Sequence, residues 1–466
     1  MAEKYDLAVL GSGPGGYVAA IRAGQLGLKT VCIERGEIGG VCLNWGCIPT
    51  KALLHSASFY HELQHYSSNI GIIAENVRVD FGKMVEQSRK VASRLSKGVE
   101  YLFRKNKIET VYGNGRLVAK DRIEVQSKDE GKKIIEAKNI IIATGARPKK
   151  LPGVDFDGKQ VISSKEAMIL PSQPKSLVVI GAGAIGVEFA YFYAALGTKV
   201  TLIEMLDQIL PIEDPEIVEV VVKSFKKLGI GILTAAKVES LEKGKDGVRI
   251  KVKKGEKVNE VTSDIALIAI GVQGNVEEIG LEELGIKFDS GAIQVDKRTY
   301  ETNVKGIYAI GDVIGPPWLA HVASAEGIAA VERIAGKESH VVDYNNIPGC
   351  TYCQPQVASL GLTEEKARAN GYEVRVGRFP FRANGKSLAM GHEDGFAKLI
   401  FDAKYGELLG AHIVGAEATE MLAELGVAKT LETTVEEIML TVHAHPTISE
   451  VVKEAAEDAF GMAIHI

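Results

Sequence analysis

Cysteine is scarce in this sequence: 466 residues hold five, Cys32, Cys42, Cys47, Cys350 and Cys353. So few cannot staple so long a chain, which excludes an extracellular disulfide framework, points to a reducing compartment and gives any disulfide a catalytic reading first. Long apolar runs are missing as well. The most apolar stretches, Ile140-Ile141-Ile142-Ala143 and Ile265-Ala266-Leu267-Ile268, fall far short of the ~20 residues that span a bilayer, so no membrane segment is expected. Basic runs are absent too: 55 Lys and Arg are scattered among 60 Asp and Glu for a net charge of −5, which leaves no footprint for nucleic acid. The start, Met1-Ala2-Glu3-Lys4-Tyr5-Asp6, enters an apolar strand without a basic-then-apolar leader, so a cytoplasmic protein is expected, or a matrix protein if a processed organellar form. Metal-ligand sets are lacking. Cys350-Thr351-Tyr352-Cys353 has redox or metal spacing, but no second soft pair lies near it, and strand alternation would turn its two thiols to opposite faces.

Glycine is abundant, at 50 residues, in a chain that is 46% hydrophobic and 25% charged. That balance is globular, and the length suggests about three or four domains. Six of these glycines have a use in an internal duplication. Tyr5 to Glu34 and Ser176 to Glu204 align with every landmark shifted by 170 positions. Each copy has an apolar strand, a Gly-x-Gly-x-x-Gly turn (Gly11, Gly13, Gly16; Gly181, Gly183, Gly186), a helix rich in small residues, a second strand and a terminal glutamate. This is a βαβ dinucleotide-binding unit: one glycine permits the tight turn, one admits a pyrophosphate to the backbone, and one lets helix and strand close up. The helix N-terminus offers N–H groups to phosphate. Glu34 and Glu204, 23 residues after the first glycine of each unit, sit where a carboxylate accepts hydrogen bonds from an adenosine ribose; a strand end in solvent is the plainer alternative.

After the first unit comes Gly39-Gly40-Val41-Cys42-Leu43-Asn44-Trp45-Gly46-Cys47-Ile48-Pro49-Thr50-Lys51. On a regular helix the two cysteines would lie about 140° apart round the axis and about 7.5 Å along it, too far for a disulfide. A bridge requires a distorted turn, which Gly46 permits; two buried reduced thiols are the alternative. Distorted local disulfides are the ones that cycle. A flavin accepts hydride from a nicotinamide on one side and exchanges electrons with a thiolate on the other, so two nucleotide sites and one cysteine pair form a coherent set: a resident flavin nucleotide in one, a diffusible nicotinamide in the other.

The Gly-Gly-x-Cys-x-x-x-x-Gly-Cys-Ile-Pro-x-Lys run with the duplicated units resembles the pyridine nucleotide–disulfide oxidoreductase family. Further matches are Ala143-Thr144-Gly145, Tyr308-Ala309-Ile310-Gly311-Asp312 and His443-Ala444-His445-Pro446-Thr447-Ile448-Ser449-Glu450, so the likeness covers essentially the whole chain. Gly13-Pro14-Gly15-Gly16-Tyr17-Val18-Ala19-Ala20 and Leu319-Ala320-His321-Val322-Ala323 are most similar to its dihydrolipoamide-oxidising members. The resemblance implies an α/β chain with two Rossmann-like dinucleotide-binding domains, FAD in 1–148 and NAD in 149–275. It also implies a central domain in 276–346 that returns to the FAD site, and an α+β dimerisation domain in 347–466.

By the same resemblance, Cys42 exchanges with substrate, Cys47 sits against the flavin, and Lys51 approaches the flavin ring and pairs with Glu188; a surface salt bridge is the ordinary reading of that last pair. Asp312 serves the ribityl chain, and Thr144, Gly145, Gly271 and Ala320 line the cofactors. Thiol exchange needs thiolate, and an ordinary thiol is mostly protonated at neutral pH, so a base is required. His445 resembles that base, oriented by Glu450 and reaching the disulfide of the other subunit of a homodimer. His443 and His321 read as satisfied structural histidines, and Cys32, within an apolar strand, as a core thiol. Lys128-Asp129-Glu130-Gly131-Lys132-Lys133 and Lys253-Lys254-Gly255-Glu256-Lys257 read as solvated hairpin turns.

The expected activity is oxidation of protein-bound dihydrolipoamide by NAD. The expected partners are lipoyl domains and the acyltransferase core of 2-oxoacid dehydrogenase complexes, or a glycine-cleavage carrier. Two alternatives stay open: another disulfide reductase of the family, or a nucleotide-binding redox sensor without turnover. Glu204 opposes NADP-linked members, and the tail Ala459 to Ile466 lacks the second redox pair that others carry.

Overall fold

Two strands with continuous apolar character seed the first sheet: Lys4–Leu10 and Thr30–Glu34 pair in parallel, and both are buried over nearly their whole length, as strands covered on both faces are. The computed structural model describes residues 4–127 and 131–466, so Lys128, Asp129 and Glu130 of the first charged tract lie outside the described residues. Glu109–Tyr112 extends the sheet beyond Thr30–Glu34, and the second half of Lys132–Ile142 pairs with Lys4–Leu10 on the other side. Ile307–Ala309 then adds in parallel to Ile140, Ile141 and Ile142. The first half of Lys132–Ile142 carries an antiparallel meander with Arg122–Gln126 and Asn114–Ala119.

The helix Pro14–Gln25 buries Gly15, Gly16, Ala19, Ala20 and Ala23. This small-residue face lets the helix Ala320–Ile334 approach at backbone distance: a Cβ on Gly327 would lie 2.8 Å from the Gly15 carbonyl oxygen. These elements belong to one compact unit, made of Met1–Leu53, Phe81–Lys149 and Gly271–Val342.

The second unit comprises Leu54–Asp80, Lys150–Ile270 and Asp343–Ile466. Its parallel sheet runs Gly231–Leu233, Lys199–Ile203, Ser176–Ile180, Ile265–Ile268, Val161–Ile162. The helix of its dinucleotide unit, Ala184–Ala195, is buried from Gly186 through Ala195, and a helix apolar all round belongs inside a protein. A three-stranded antiparallel sheet follows, and its last hairpin turns at Gly255 (φ +60°), as the second charged tract leads one to expect. The C-terminal part is a five-stranded antiparallel sheet, Gly349–Thr351, Gln356–Gly361, Leu408–Gly415, Phe396–Asp402, Val374–Pro380. Helices Ala418–Thr430 and Glu450–Asp458 bury Met421, Leu422, Leu425, Val451, Val452 and Ala455 in its core. Among the described residues no helix is long and apolar enough to cross a membrane.

Candidate active site

The two glycine turns are built alike. Gly11 (φ +104°) and Gly181 (φ +99°) occupy the left-handed region, and a Cβ on either would strike the carbonyl oxygen of Ala143 or Ala269 at 2.3 or 2.4 Å. Gly16 and Gly186 would each place a Cβ 1.9 Å from the carbonyl oxygen of their own Gly11 or Gly181. The middle glycines differ in kind: no described atom comes within 4 Å of a Cβ on Gly13 or Gly183. Each is the N-cap of its helix, and among the described residues no side chain caps either one. Two glycines per turn are thus required by packing, and the third leaves backbone N–H groups accessible.

Glu34 and Glu204 are both buried, which excludes the reading of Glu204 as a strand end in solvent. Glu34 Oε2 accepts the Ser12 N–H at 2.8 Å and its Oε1 accepts the Gly36 N–H at 2.7 Å. Glu204 does the same with Ala182 N–H at 2.7 Å and Leu206 N–H at 2.9 Å. Each carboxylate therefore braces its turn and keeps lone pairs for a further donor.

Past the first unit the chain folds back over the turn. Gly39 donates its N–H to the Ser12 carbonyl at 3.1 Å, and Gly40 presses so close to Gly13 that a Cβ there would lie 2.6 Å from Gly13 Cα. A six-residue helix, Gly40–Trp45, follows and ends at Gly46, after which Cys47–His65 begins a new helix. The expected break at Gly46 is thus present, and it separates the cysteines onto two helices. Both are thiols, joined by a side-chain hydrogen bond; that bond and burial hold the Cys42 thiol far above its ordinary range, while Lys51, one turn after Cys47, opposes them. Burial and the two cysteines also push up the Tyr17 phenol. Cys32 is fully buried in its strand.

Thr144 and Gly145 are tied to Asn275: the Thr144 hydroxyl donates to the Asn275 carbonyl at 2.8 Å and the Asn275 amide side chain returns a bond at 2.9 Å. Gly271 (φ +103°) accepts the Lys149 N–H at 3.0 Å. Asp312 is the second residue of the short 3-10 turn Gly311–Ile314, and burial, with Glu326 nearby, raises its carboxyl to about 6. Ala320 is the first residue of its helix.

In the second unit Glu188 is buried and accepts the Tyr352 N–H at 3.0 Å. Cys350 lies on the strand Gly349–Thr351, while Cys353 lies beyond it, fully buried and donating to the Pro355 carbonyl at 3.1 Å. The His445 side chain is 77% exposed, with Nδ1 2.9 Å from Glu450 Oε1. Burial opposes ionisation of Glu450, yet the Thr447 N–H and His445 hold its carboxyl below the ordinary range. The contact to Glu450 holds the imidazole through Nδ1, and among the described residues Nε2 has no hydrogen-bond partner. His443 is the opposite case, its side chain buried between Glu424 (3.2 Å) and the Thr441 carbonyl (3.1 Å).

Residues 5–327 match the pyridine nucleotide-disulphide oxidoreductase profile, and residues 347–456 match that family's dimerisation domain. The chain belongs to this family. A dihydrolipoyl dehydrogenase of Zymomonas mobilis is 52% identical over the full length of both chains. Crystallographic LpdA from Mycobacterium tuberculosis superposes with a TM-score of 0.91 at 26% identity, covering 98% of this chain and 99% of its own. The hypochlorite-induced flavoprotein disulfide reductase RclA of Escherichia coli gives 0.86 at 26% identity, over 97% and 99%.

As a pyridine nucleotide-disulphide oxidoreductase the chain uses FAD and NAD, and the residues present fit both. Two uncapped helix N-termini, each with an open middle glycine and a braced carboxylate at the end of the second strand, are what two dinucleotides require. Sequence reading missed the surroundings of the cysteines. Asn44, between them, is buried, and Arg89 and Ser96 of the helix Phe81–Lys105 both bond to it. Its polarity within an apolar, glycine-rich run was the available signal.

Proposed function

We propose that this chain oxidises protein-bound dihydrolipoamide to lipoamide with NAD as the acceptor. The observation that carries the reading is the hydrogen-bonded pair Cys42 and Cys47, set across a helix break directly after a dinucleotide turn. The name of the Zymomonas mobilis relative supports the substrate.

In this reading a substrate thiol attacks Cys42 of the oxidised pair and Cys47 leaves as thiolate. The second substrate thiol then attacks the mixed disulfide, which closes the lipoamide ring and releases Cys42. His445 takes the proton of the attacking thiol on Nε2, and Glu450 holds Nδ1 and stabilises the cation that results. Two electrons have then passed to the cysteines; the first thiol's proton returns from His445 to Cys42 as it leaves, and the second stays on His445 beside the Cys47 thiolate. FAD, when bound, carries the electron pair onward to NAD. Lys51 would approach the flavin ring, Asp312 would serve the ribityl chain, and Thr144, Gly145 and Ala320 would line the flavin; Glu188, expected from the resemblance to pair with Lys51, has the Tyr352 N–H as a described partner. Glu34 would take the ribose of FAD and Glu204 that of NAD, and Gly271 would line a cofactor.

The four-part division at 1–148, 149–275, 276–346 and 347–466 belongs to this reading, as does a homodimer in which His445 serves the partner's cysteines. So do the lipoyl-bearing partners of a 2-oxoacid or glycine-cleavage system, and a cytoplasmic or matrix location.

A coenzyme-by-disulfide panel tests it, pairing NADH or NADPH with lipoamide, glutathione disulfide and thioredoxin. NADH with lipoamide should dominate; faster reduction of glutathione disulfide would replace the substrate assignment. Cys42→Ser and Cys47→Ser should each abolish lipoamide turnover with flavin retained, and near-normal turnover in either variant would refute the route.

A further inference from the structure

A helix of six residues has no stability of its own, because nucleation costs more than so few hydrogen bonds return. Gly40–Trp45 nonetheless carries Cys42, and its position decides where that sulfur lies. Both of its ends are held from outside. The Asn44 side chain reaches back to the start, donating to the carbonyls of Ile38 at 3.0 Å and Gly40 at 3.1 Å. The Ser96 hydroxyl donates to Asn44 Oδ1 at 2.9 Å. At the other end Arg89 donates to the Asn44 carbonyl and lays its guanidinium over the Trp45 ring, 4.0 Å from the centroid. Arg89 and Ser96 stand two turns apart on one face of the 25-residue helix Phe81–Lys105, which anchors them.

We propose that Asn44, Ser96 and Arg89 are positioning residues that keep Cys42 facing Cys47 whether or not the two are bonded. The bonds of the clamp join Asn44, Ile38, Gly40, Ser96 and Arg89 and involve neither sulfur, so none of them depends on the S–S bond. Reduction breaks the S–S bond, adds two electrons and two protons, and leaves two thiols; an unclamped loop then gains conformational freedom that favours the dithiol. The clamp withholds that freedom, raises the effective concentration of one thiol at the other, and shifts the equilibrium toward the disulfide. The role rests on the functional reading above, in which this pair cycles.

The experiment equilibrates holoprotein with set ratios of lipoamide and dihydrolipoamide, and in a second arm with oxidised and reduced dithiothreitol. Each is followed by acid quench, alkylation and mass analysis of Cys42 and Cys47. Arg89→Met should move the equilibrium toward dithiol about tenfold, which is about 30 mV for a two-electron couple. Ser96→Ala should move it about threefold in the same direction, and Arg89→Lys, which keeps a donor, less than Arg89→Met. Equilibria within twofold of the unmodified protein in both Arg89→Met and Ser96→Ala, or a shift toward disulfide, would overturn the proposal. An unmodified pair that exchanges with dithiothreitol but not with lipoamide would overturn the substrate assignment, and the dithiothreitol arm would still decide the clamp.

Discussion

The two dinucleotide units share the backbone hydrogen bonds of their turns, differ within the turn by the Ser12 hydroxyl that adds a bond to Glu34 at 2.6 Å where the second unit has Ala182, and part company after the second strand. In both, a buried glutamate braces the turn through two backbone N–H groups, and a glycine is pressed onto a carbonyl at 1.9 Å from where its Cβ would be. Beyond Glu34 the chain crosses the turn and becomes the cysteine helix. Beyond Glu204 it crosses the turn as well, Leu210 donating to the Ala182 carbonyl at 2.8 Å, but continues into the helix Pro215–Lys227. That helix is capped by Asp214 and held by Lys398, whose 2%-exposed side chain meets Asp214 at 2.9 Å and Glu216 at 2.6 Å. One frame thus carries a pair of cysteines in the first copy and a purely ionic anchor in the second. The nucleotide-binding part is a fixed module, and its neighbour sets the chemistry.

The harshest way to break the comparison is to put a methyl group where neither turn has room. Gly16→Ala should leave the protein without flavin and inactive, whereas Gly186→Ala should keep flavin and lose reduction by NADH; flavin absorbance after gel filtration and stopped-flow bleaching separate the two. Equal flavin loss in both variants would contradict the division of labour. Next is Lys398→Met, which has no counterpart in the first unit. It strands the buried Asp214 carboxylate, a change that typically costs about 3–5 kcal/mol, so unfolding of the second unit should shift strongly while flavin binding stays.

Glu204→Gln should have a smaller effect. It removes the like charge that repels a 2′-phosphate and leaves one brace bond unmade, so preference for NADH over NADPH should shrink by about 1–3 kcal/mol, or about 5–150-fold in catalytic efficiency. An unchanged ratio would take the coenzyme choice away from this residue. Smallest is Glu213→Gln, beside the Asp214 anchor. Burial raises the Glu213 carboxyl to about 7, and its Oε2 has no hydrogen-bond partner among the described residues. A carboxyl raised in the folded state costs nothing below its unfolded value and an increasing amount as pH climbs through about 4.5 to about 7. The variant should therefore gain stability relative to the parent across that window, by about 1 kcal/mol at pH 8 once the buried amide's own cost is subtracted. Parallel melting curves from pH 5 to 8 would refute it.

The duplication, the glycine roles and the helix break at Gly46 were legible because each depends on spacing within about thirty residues. The companionship of His445 and Glu450 was legible for the same reason, being five positions apart. What escaped depends on partners far away in sequence. Ser96 lies 52 residues from Asn44 and Lys398 lies 184 from Asp214, and no periodicity connects them. The bracing role of Glu34 and Glu204 was hidden for another reason: a carboxylate expected to accept ribose hydroxyls and one that accepts backbone N–H groups carry the same letter at the same place. The segment Leu54–Asp80 also clusters with the second unit although the helix it belongs to starts at Cys47 in the first, a partition that no composition shift marks.

The backbone contact between Gly15 and Gly327 has a consequence for how the protein is made. The first unit's sheet and helices include residues separated by some three hundred positions, and the whole of Lys150–Ile270 is translated between them. At about 5–20 residues per second, a ribosome that has finished Lys149 needs roughly ten to forty seconds to deliver the helix that seals against Pro14–Gln25. During that interval the small-residue face of the first helix stands open to water, while the inserted segment already contains every strand of its own parallel sheet. The order of completion is therefore the reverse of the order in the chain: the second nucleotide fold can close first, and flavin loading waits for Gly327.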